Sequence, residues 1–158
     1  MRTLGRATSS LRVLKPHAFE LRLRAMSEQA AAAAAAAEAP PEVTLFDKIV
    51  AGQIPCNKVY EDDVCLAFRD IAPVAKTHVL VIPKDRDGLS QLSKADARHK
   101  PLLGHLMWAA SHVAALEGLG AGWRLVVNDG KEGCQSVYHL HLHVIGGQQL
   151  SWPPGTGA

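Results

Sequence analysis

The run His139-Leu140-His141-Leu142-His143 sets three imidazoles at every second position. In a strand, alternate side chains share a face, so the three rings point one way while Leu140, Leu142 and Val144 point into the opposite, apolar face. A buried polar ring is costly without hydrogen-bond partners, and three in alternation imply a use beyond packing. Two chemistries suit them. Imidazoles at i and i+2 can share a zinc ion with a third protein ligand and an open water position. Alternatively, one neutral imidazole attacks phosphorus while the others orient it and bind charge. The residues upstream favour the second chemistry. Gly130-Lys131-Glu132-Gly133-Cys134-Gln135-Ser136 is a polar, glycine-containing loop suited to presenting backbone N–H groups and a hydroxyl to a phosphate. A zinc site would more often place a carboxylate or thiolate close to the histidines.

The elements that must position these residues are legible in outline. Thr44 caps a short helix, Leu45 to Ala51, with Leu45, Phe46, Ile49 and Val50 on one face and Gly52 ending it. Lys58–Glu61 and Val64–Arg69 read as strands joined at Asp62-Asp63, and Thr77–Pro83 as a stronger strand, nearly all β-branched or apolar. Ser93 to Asp96 has capping-box spacing before a helix running to about Glu117, which Pro101 either kinks or opens as its true first turn. The stripe Leu102, Leu106, Ala110, Val113 and Glu117 gives that helix one face. Trp123–Asn128 and His139–Ile145 complete five strands. The pattern predicts an α+β domain on a mainly antiparallel sheet with one long and one short helix.

The chain has 158 residues, 47% apolar and 20% charged, enough for one domain with a real core. The three cysteines, Cys56, Cys65 and Cys134, form no Cys-x-x-Cys pair and no disulfide framework, which suits a reducing compartment. No apolar run approaches the ~18 residues of a transmembrane helix, so no membrane span is expected. Residues 1–25 carry six basic groups against one acid; the rest holds 11 basic against 14 acidic groups. A weakly acidic body argues against a nucleic-acid-binding face and for a small-molecule partner. The basic, Ser- and Leu-rich residues 1–25 predict a transit peptide to chloroplast or mitochondrion; translation starting at Met26 would instead leave the protein cytoplasmic. The Ala tract and Pro40-Pro41 read as a linker, so residues 1–42 form an extension and 43–158 the folded domain.

Asn128, Gly133, Gln135 and Val137, followed by His139 through Gly146, resemble the signature of the histidine triad (HIT) superfamily at every spaced position. Phe46-Asp47-Lys48-Ile49, Tyr60-Glu61-Asp62-Asp63, Leu66-Ala67-Phe68-Arg69-Asp70-Ile71, Thr77-His78 and Trp152-Pro153-Pro154-Gly155 are similar to the Hint branch, the histidine triad nucleotide-binding proteins, over roughly residues 45–155. Arg69, Gly133-Cys134 and Lys84 through Leu89 look closer to plant-type members.

The resemblance implies a purine nucleoside phosphoramidase that releases AMP, with adenylyl sulfate cleavage as a side activity. His141 is then the nucleophile and forms a covalent nucleotidyl-histidine. A carbonyl of the His139 segment, with His139 and His78 behind it, orients the ring; His143 and Ser136 contact the phosphate. Backbone N–H groups of Cys134-Gln135-Ser136 stabilise the phosphoryl charge. Phe46, Ile49, Phe68 and Ile71 hold the nucleoside, Asp70 the ribose hydroxyls, and Asn128 the ribose–phosphate edge. Phe46, Ile49 and Phe68 are equally plain as core residues, and Asp70 as a turn cap. The resemblance also implies a homodimer with a continuous sheet, contacts through the long helix and the C-terminal tail, and Trp152 shaping substrate choice. It implies no required cofactor; zinc binding is compatible with the histidines but not expected to be catalytic. The alternative is a nucleotide- or zinc-binding regulatory protein with little turnover. His105 and His112 match no family catalytic position and are expected to be structural or solvated.

Overall fold

A computed structural model describes residues 30–33 and 42–154. The segment read as a transit peptide, Met26, most of the Ala/Pro tract and Gly155 lie outside the described residues. Helix α1 spans Leu45–Val50 and opens with a capping box: the Asp47 N–H donates to the Thr44 hydroxyl, and the Asp47 carboxylate takes the Thr44 N–H. Strands β1 (Lys58–Glu61), β2 (Cys65–Arg69) and β3 (Thr77–Pro83) follow as an antiparallel meander. Asp62 closes the first hairpin, because its Oδ1 accepts from the N–H groups of Val64 and Cys65 at 2.8 Å each. Helix α2 (Lys100–Leu116), β4 (Trp123–Val126) and β5 (Leu142–Gly146) complete the domain. The sheet runs β1-β2-β3-β5-β4, antiparallel throughout, which leaves β1 and β4 at its edges.

Alternation along the central strands builds two cores. Cys65 and Ala67 of β2, Val79 and Val81 of β3, and Leu142 and Val144 of β5 meet Leu106, Ala109, Ala110 and Val113 of α2. Leu66 and Phe68, with Leu80 and Ile82, pack on the other face against Phe46 and Ile49 of α1. A sheet covered on both faces explains why β3 reads as an unbroken apolar run rather than an alternating one.

Besides β2 starting one residue later and β4 ending two residues earlier than expected, two boundaries differ for a visible reason. The long helix starts at Lys100, not after Ser93, with Pro101 in its first turn, where a missing N–H costs nothing. Ser93 is drawn off instead: its N–H and hydroxyl bond the Asp129 carboxylate at 2.6 and 3.0 Å. Two short 3-10 turns, Leu92–Lys94 and Ala97–His99, fill the interval, and Asp96 caps the second. The last strand begins at Leu142 rather than His139. Its ladder with β3 ends at Val81↔Leu142, and before that point the Leu140 N–H turns away to the Leu89 carbonyl. The face assignment nevertheless holds, with Leu140 in the α2-side core and all three histidines buried off it.

Candidate active site

α1 is only six residues long and covers part of its face of the sheet. Beside it a concave cleft opens, mostly apolar with a few convergent polar groups, as small-molecule sites are. Its apolar wall is Phe46, Ile49, Phe68, Leu80 and Val137, with Leu45 and Ile71 at the rim. Its polar corner is Asp70, Ser136, His141 and His143. Phe46, Ile49 and Phe68 are therefore both core and cleft wall, while Ile71 is 98% exposed and contributes only an edge. Leu45, Leu80 and Val137 were not among the expected wall residues. Leu80 could have been found by counting: on β3 it is two residues from His78 and so shares its face.

His141 has one nitrogen committed. Its Nδ1 lies 2.7 Å from the main-chain oxygen of His139. A carbonyl only accepts, so Nδ1 carries the proton and the neutral ring keeps its lone pair on Nε2. Burial pushes the His141 pKa below the ordinary imidazole value, with the His139 carbonyl and the Asp70 charge pulling the other way. The ring is thus neutral near pH 7, with a fixed tautomer. Phe46 packs edge-on against it, centroids 5.2 Å apart, and holds its plane.

His78 does not stand behind His139, contrary to the sequence expectation. It lies across the sheet against His143, with His78 Nε2 2.9 Å from His143 Nδ1. Strand register explains this: Leu80 pairs with His143, so His78, two residues away on the same face, is its diagonal neighbour. The proton on that bond can be placed. Val74 N–H donates to His78 Nδ1 at 3.3 Å, so His78 keeps its own proton on Nε2 and donates it to His143 Nδ1. The neutral His143 ring must then carry its proton on Nε2, a buried nitrogen with no partner among the described protein atoms. His143 becomes an N–H donor at the cleft. Burial, with His141 and His78 beside it, pushes its pKa down to about 3.

Behind the carbonyl that anchors His141, His139 Nε2 meets the Pro83 carbonyl at 2.9 Å, and its Nδ1 lies 3.3 Å from both Thr44 Oγ1 and Asp47 Oδ1. Thr44 and Asp47 were missed as site residues. The available signal was their capping-box spacing, which says only where a helix starts. Asp70 both lines the cleft and caps a turn, its Oδ1 accepting from the Ala72 N–H at 2.8 Å.

The loop before the triad departs from the expected phosphate cradle. The Cys134 and Gln135 N–H groups already donate to the Lys131 and Gly130 carbonyls at 3.0 Å each, closing the loop on itself. Gln135 is buried and staples the loop, its amide donating to the carbonyls of Ser90 and Val137. Asn128 donates to the Cys134 carbonyl at 3.3 Å. None of Asn128, Cys134 and Gln135 lines the cleft; Ser136 does. A Cβ at Gly133 would overlap the Asp129 main chain, and Cys134 takes a left-handed φ of 60°. Trp152 is 85% exposed on the C-terminal tail.

Asp70, His78 and His143 present donor atoms within 4.8 Å of one another, as do Asp62, Cys65 and His105. Neither set fits zinc as it stands. The two imidazole nitrogens of the first are 2.9 Å apart and share a proton. On tetrahedral zinc with bonds of ~2.0–2.1 Å, two nitrogens stand roughly 3.3 Å apart, so the rings would have to lose that proton and spread. In the second, Asp62 Oδ2 is occupied by Tyr60 Oη and His105 Nε2 at 2.8 Å each. His105 is thus a structural partner of the hairpin, and His112 stacks on Trp108.

Residues 51–150 match the HIT domain. An Arabidopsis thaliana protein named adenylylsulfatase HINT1 is 54% identical over 131 residues, 83% of this chain and 87% of its own. A Zea mays 14 kDa zinc-binding protein is 54% identical over 129 residues, 82% of this chain and 98% of its own. Among solved structures, a HIT family hydrolase from Legionella pneumophila superposes with a TM-score of 0.68 at 46% identity, covering 70% of this chain and 98% of that one.

Proposed function

This chain belongs to the HIT family, in its Hint branch, and from that premise we propose that it is a purine nucleotide hydrolase acting through a covalent nucleotidyl-His141. Its substrates are AMP-type phosphoramidates and adenylyl sulfate. The observation that carries the reading is the 2.7 Å contact between His141 Nδ1 and the His139 carbonyl, which fixes the lone pair on Nε2 of a buried, neutral ring at the cleft. Nε2 forms a bond to the α-phosphorus as the bond to the amine or sulfate leaving group breaks. Water then attacks the same phosphorus, the P–N bond breaks, AMP leaves, and the ring returns to its starting tautomer. His143 Nε2–H and the Ser136 hydroxyl hold phosphoryl oxygens or supply a proton to a departing amine, a reading supported by both residues lining the cleft. The apolar wall takes the purine, and Asp70 the ribose hydroxyls. The Arabidopsis relative's name supports adenylyl sulfate as a substrate.

The test is direct. Acid- or base-quenched enzyme, mixed with adenylyl sulfate or adenosine phosphoramidate, should yield a peptide adenylylated on His141. Absence of any phosphorus–nitrogen adduct under single-turnover conditions removes the covalent route. The maize relative's name supports the rival reading of a zinc-binding regulatory protein. Turnover that survives a strong chelator argues for the hydrolase without an obligatory metal. We further infer a homodimer, for which the unpaired outer rim of edge strand β4 offers main-chain groups to a second copy. Import into an organelle is inferred from residues 1–25 alone; mass spectrometry of the mature N-terminus tests it.

A further inference from the structure

We propose that Asp47, clamped by Arg86, is a positioning residue for the nucleophile, acting through the His139 ring. The inference rests on the reading of His141 as nucleophile and adds residues that reading did not include. Asp47 has an evident structural task, since its carboxylate completes the capping box of α1. That task occupies one oxygen. The Thr44 N–H and hydroxyl both donate to Oδ2, at 2.7 and 2.8 Å. The other oxygen, Oδ1, is turned to His139 Nδ1 at 3.3 Å, a contact the helix cap does not need.

The protons around His139 show what that contact does. The Thr44 hydroxyl has spent its proton on Asp47, and it accepts the Asp47 N–H at 3.2 Å. Toward His139 Nδ1 it therefore offers only a lone pair, as does Asp47 Oδ1. The Pro83 carbonyl on Nε2 is an acceptor as well. Both ring nitrogens thus face acceptors: a neutral ring donates to one side only, and a protonated ring to both. Burial works against a charged His139 ring, while the Pro83 carbonyl and the Asp47 carboxylate favour it; Arg86 and His141 oppose it, and the balance lies below the ordinary imidazole value. The titratable and charged groups facing His139 are Asp47, Arg86 and His141.

Arg86 ties the arrangement together. Its Nη2 reaches Asp47 Oδ2 at 3.3 Å, and its Nη1 donates to the carbonyl of Tyr138, immediately before His139, at 3.4 Å. One guanidinium thus grips both the carboxylate behind the ring and the main chain that carries it. The main-chain oxygen of His139 is in turn the acceptor that holds His141 Nδ1–H. Side chain and carbonyl belong to one residue, so fixing the ring fixes the anchor of the nucleophile.

The test uses the full chain with Asp47→Asn, Asp47→Glu, Arg86→Gln and His141→Ala. Steady-state kinetics on adenylyl sulfate are read against pH, and ring nitrogens are followed by 15N NMR of histidine-labelled protein. Asp47→Asn retains an oxygen for the cap. It should lower kcat about tenfold while leaving KM within roughly twofold, the signature of a transition-state loss. The His139 titration should move to lower pH, because the carboxylate favouring its protonated form is gone, and the His141 Nδ1–H signal should broaden. Asp47→Glu should restore most of kcat, and Arg86→Gln, which leaves the cap's own hydrogen bonds to Thr44 in place, should give a smaller loss of kcat and move the His139 titration upward. Unchanged kcat and an unmoved His139 titration in both Asp47→Asn and Arg86→Gln overturn the inference and leave Asp47 a helix cap. If Asp47→Asn does not fold, Arg86→Gln alone decides by the same two readouts. Retained turnover in His141→Ala sinks the nucleophile reading and this inference with it; lost turnover there beside a silent Asp47→Asn sinks the inference alone.

Discussion

The two faces of the sheet use the same strands to opposite ends. On the α2 face a 17-residue helix closes over Cys65, Ala67, Val79, Val81, Leu142 and Val144. On the α1 face a six-residue helix covers Phe68, Leu80 and Ile82 and stops short, leaving His141 and His143 beside open space. The difference is one of coverage more than of strand chemistry. Residues that alternate along β5 supply a core where a long helix reaches them and a cleft where a short one does not. Buried histidines become tolerable because most of their ring nitrogens are answered, by main-chain groups of Val74, Pro83 and His139, by another imidazole, or by Thr44 and Asp47.

That comparison predicts that damage on the two faces should separate cleanly. The largest effect belongs to the cleft: His141→Ala should lower single-turnover cleavage of adenylyl sulfate by at least ~10³-fold. Its thermal midpoint should change little beside that loss; a variant that keeps normal turnover would mean the lone pair at the cleft is not the nucleophile. Next is the core: Leu106→Ala, fully buried under the sheet, should cost about 3 kcal/mol in denaturant unfolding while leaving kcat of the folded fraction near normal. Equal losses of activity and stability there would dissolve the distinction between the faces.

A smaller effect separates His143 from His78. If His78 acts only by setting the His143 tautomer, His78→Gln should cost about tenfold in kcat and His143→Ala more. Equal losses from the two would place both in contact with the nucleotide. The triad also makes a pH prediction. His143 has its folded pKa at about 3, below the unfolded imidazole value of 6.5, so the unfolded chain binds more protons between those limits. Stability is therefore full above about pH 6.5 and falls as pH drops toward 3. His139 and His141, also lowered, act in the same sense. Urea midpoints measured from pH 7.5 to 4 check this, and a flat curve would contradict the burial of these rings in neutral form. The smallest effect lies outside both faces: His112→Ala, which stacks on the half-exposed Trp108, should change stability by less than about 1 kcal/mol and leave turnover untouched.

Much of this was readable in the residues, because periodicity reports faces. The alternation at positions 139–144 separated core leucines from site histidines, and Thr44, β1, β3 and α1 stand where their residue types put them. Misplaced features were those set by partners distant in sequence. Ser93 resembles a helix cap until Asp129, 36 positions later, takes its N–H and hydroxyl. His139 resembles a strand residue until the Pro83 carbonyl captures its ring. His78 was expected behind His139, yet sheet register sets it against His143. Gln135 and Asn128, carried over from a family signature, hold the loop in shape, and a signature alone does not distinguish holding from touching. Asp47 stood in the sequence only as part of a family match, and nothing in its spacing points to a ring 92 positions later.

The acceptor that fixes the tautomer of His141 is a peptide oxygen. Every residue type supplies one, so replacing the side chain at position 139 can displace this acceptor but never delete it. Substitutions there should yield slower enzymes in graded steps, whereas position 141 offers no intermediate grades. The group that orients the His141 ring thus sits where no substitution can erase it.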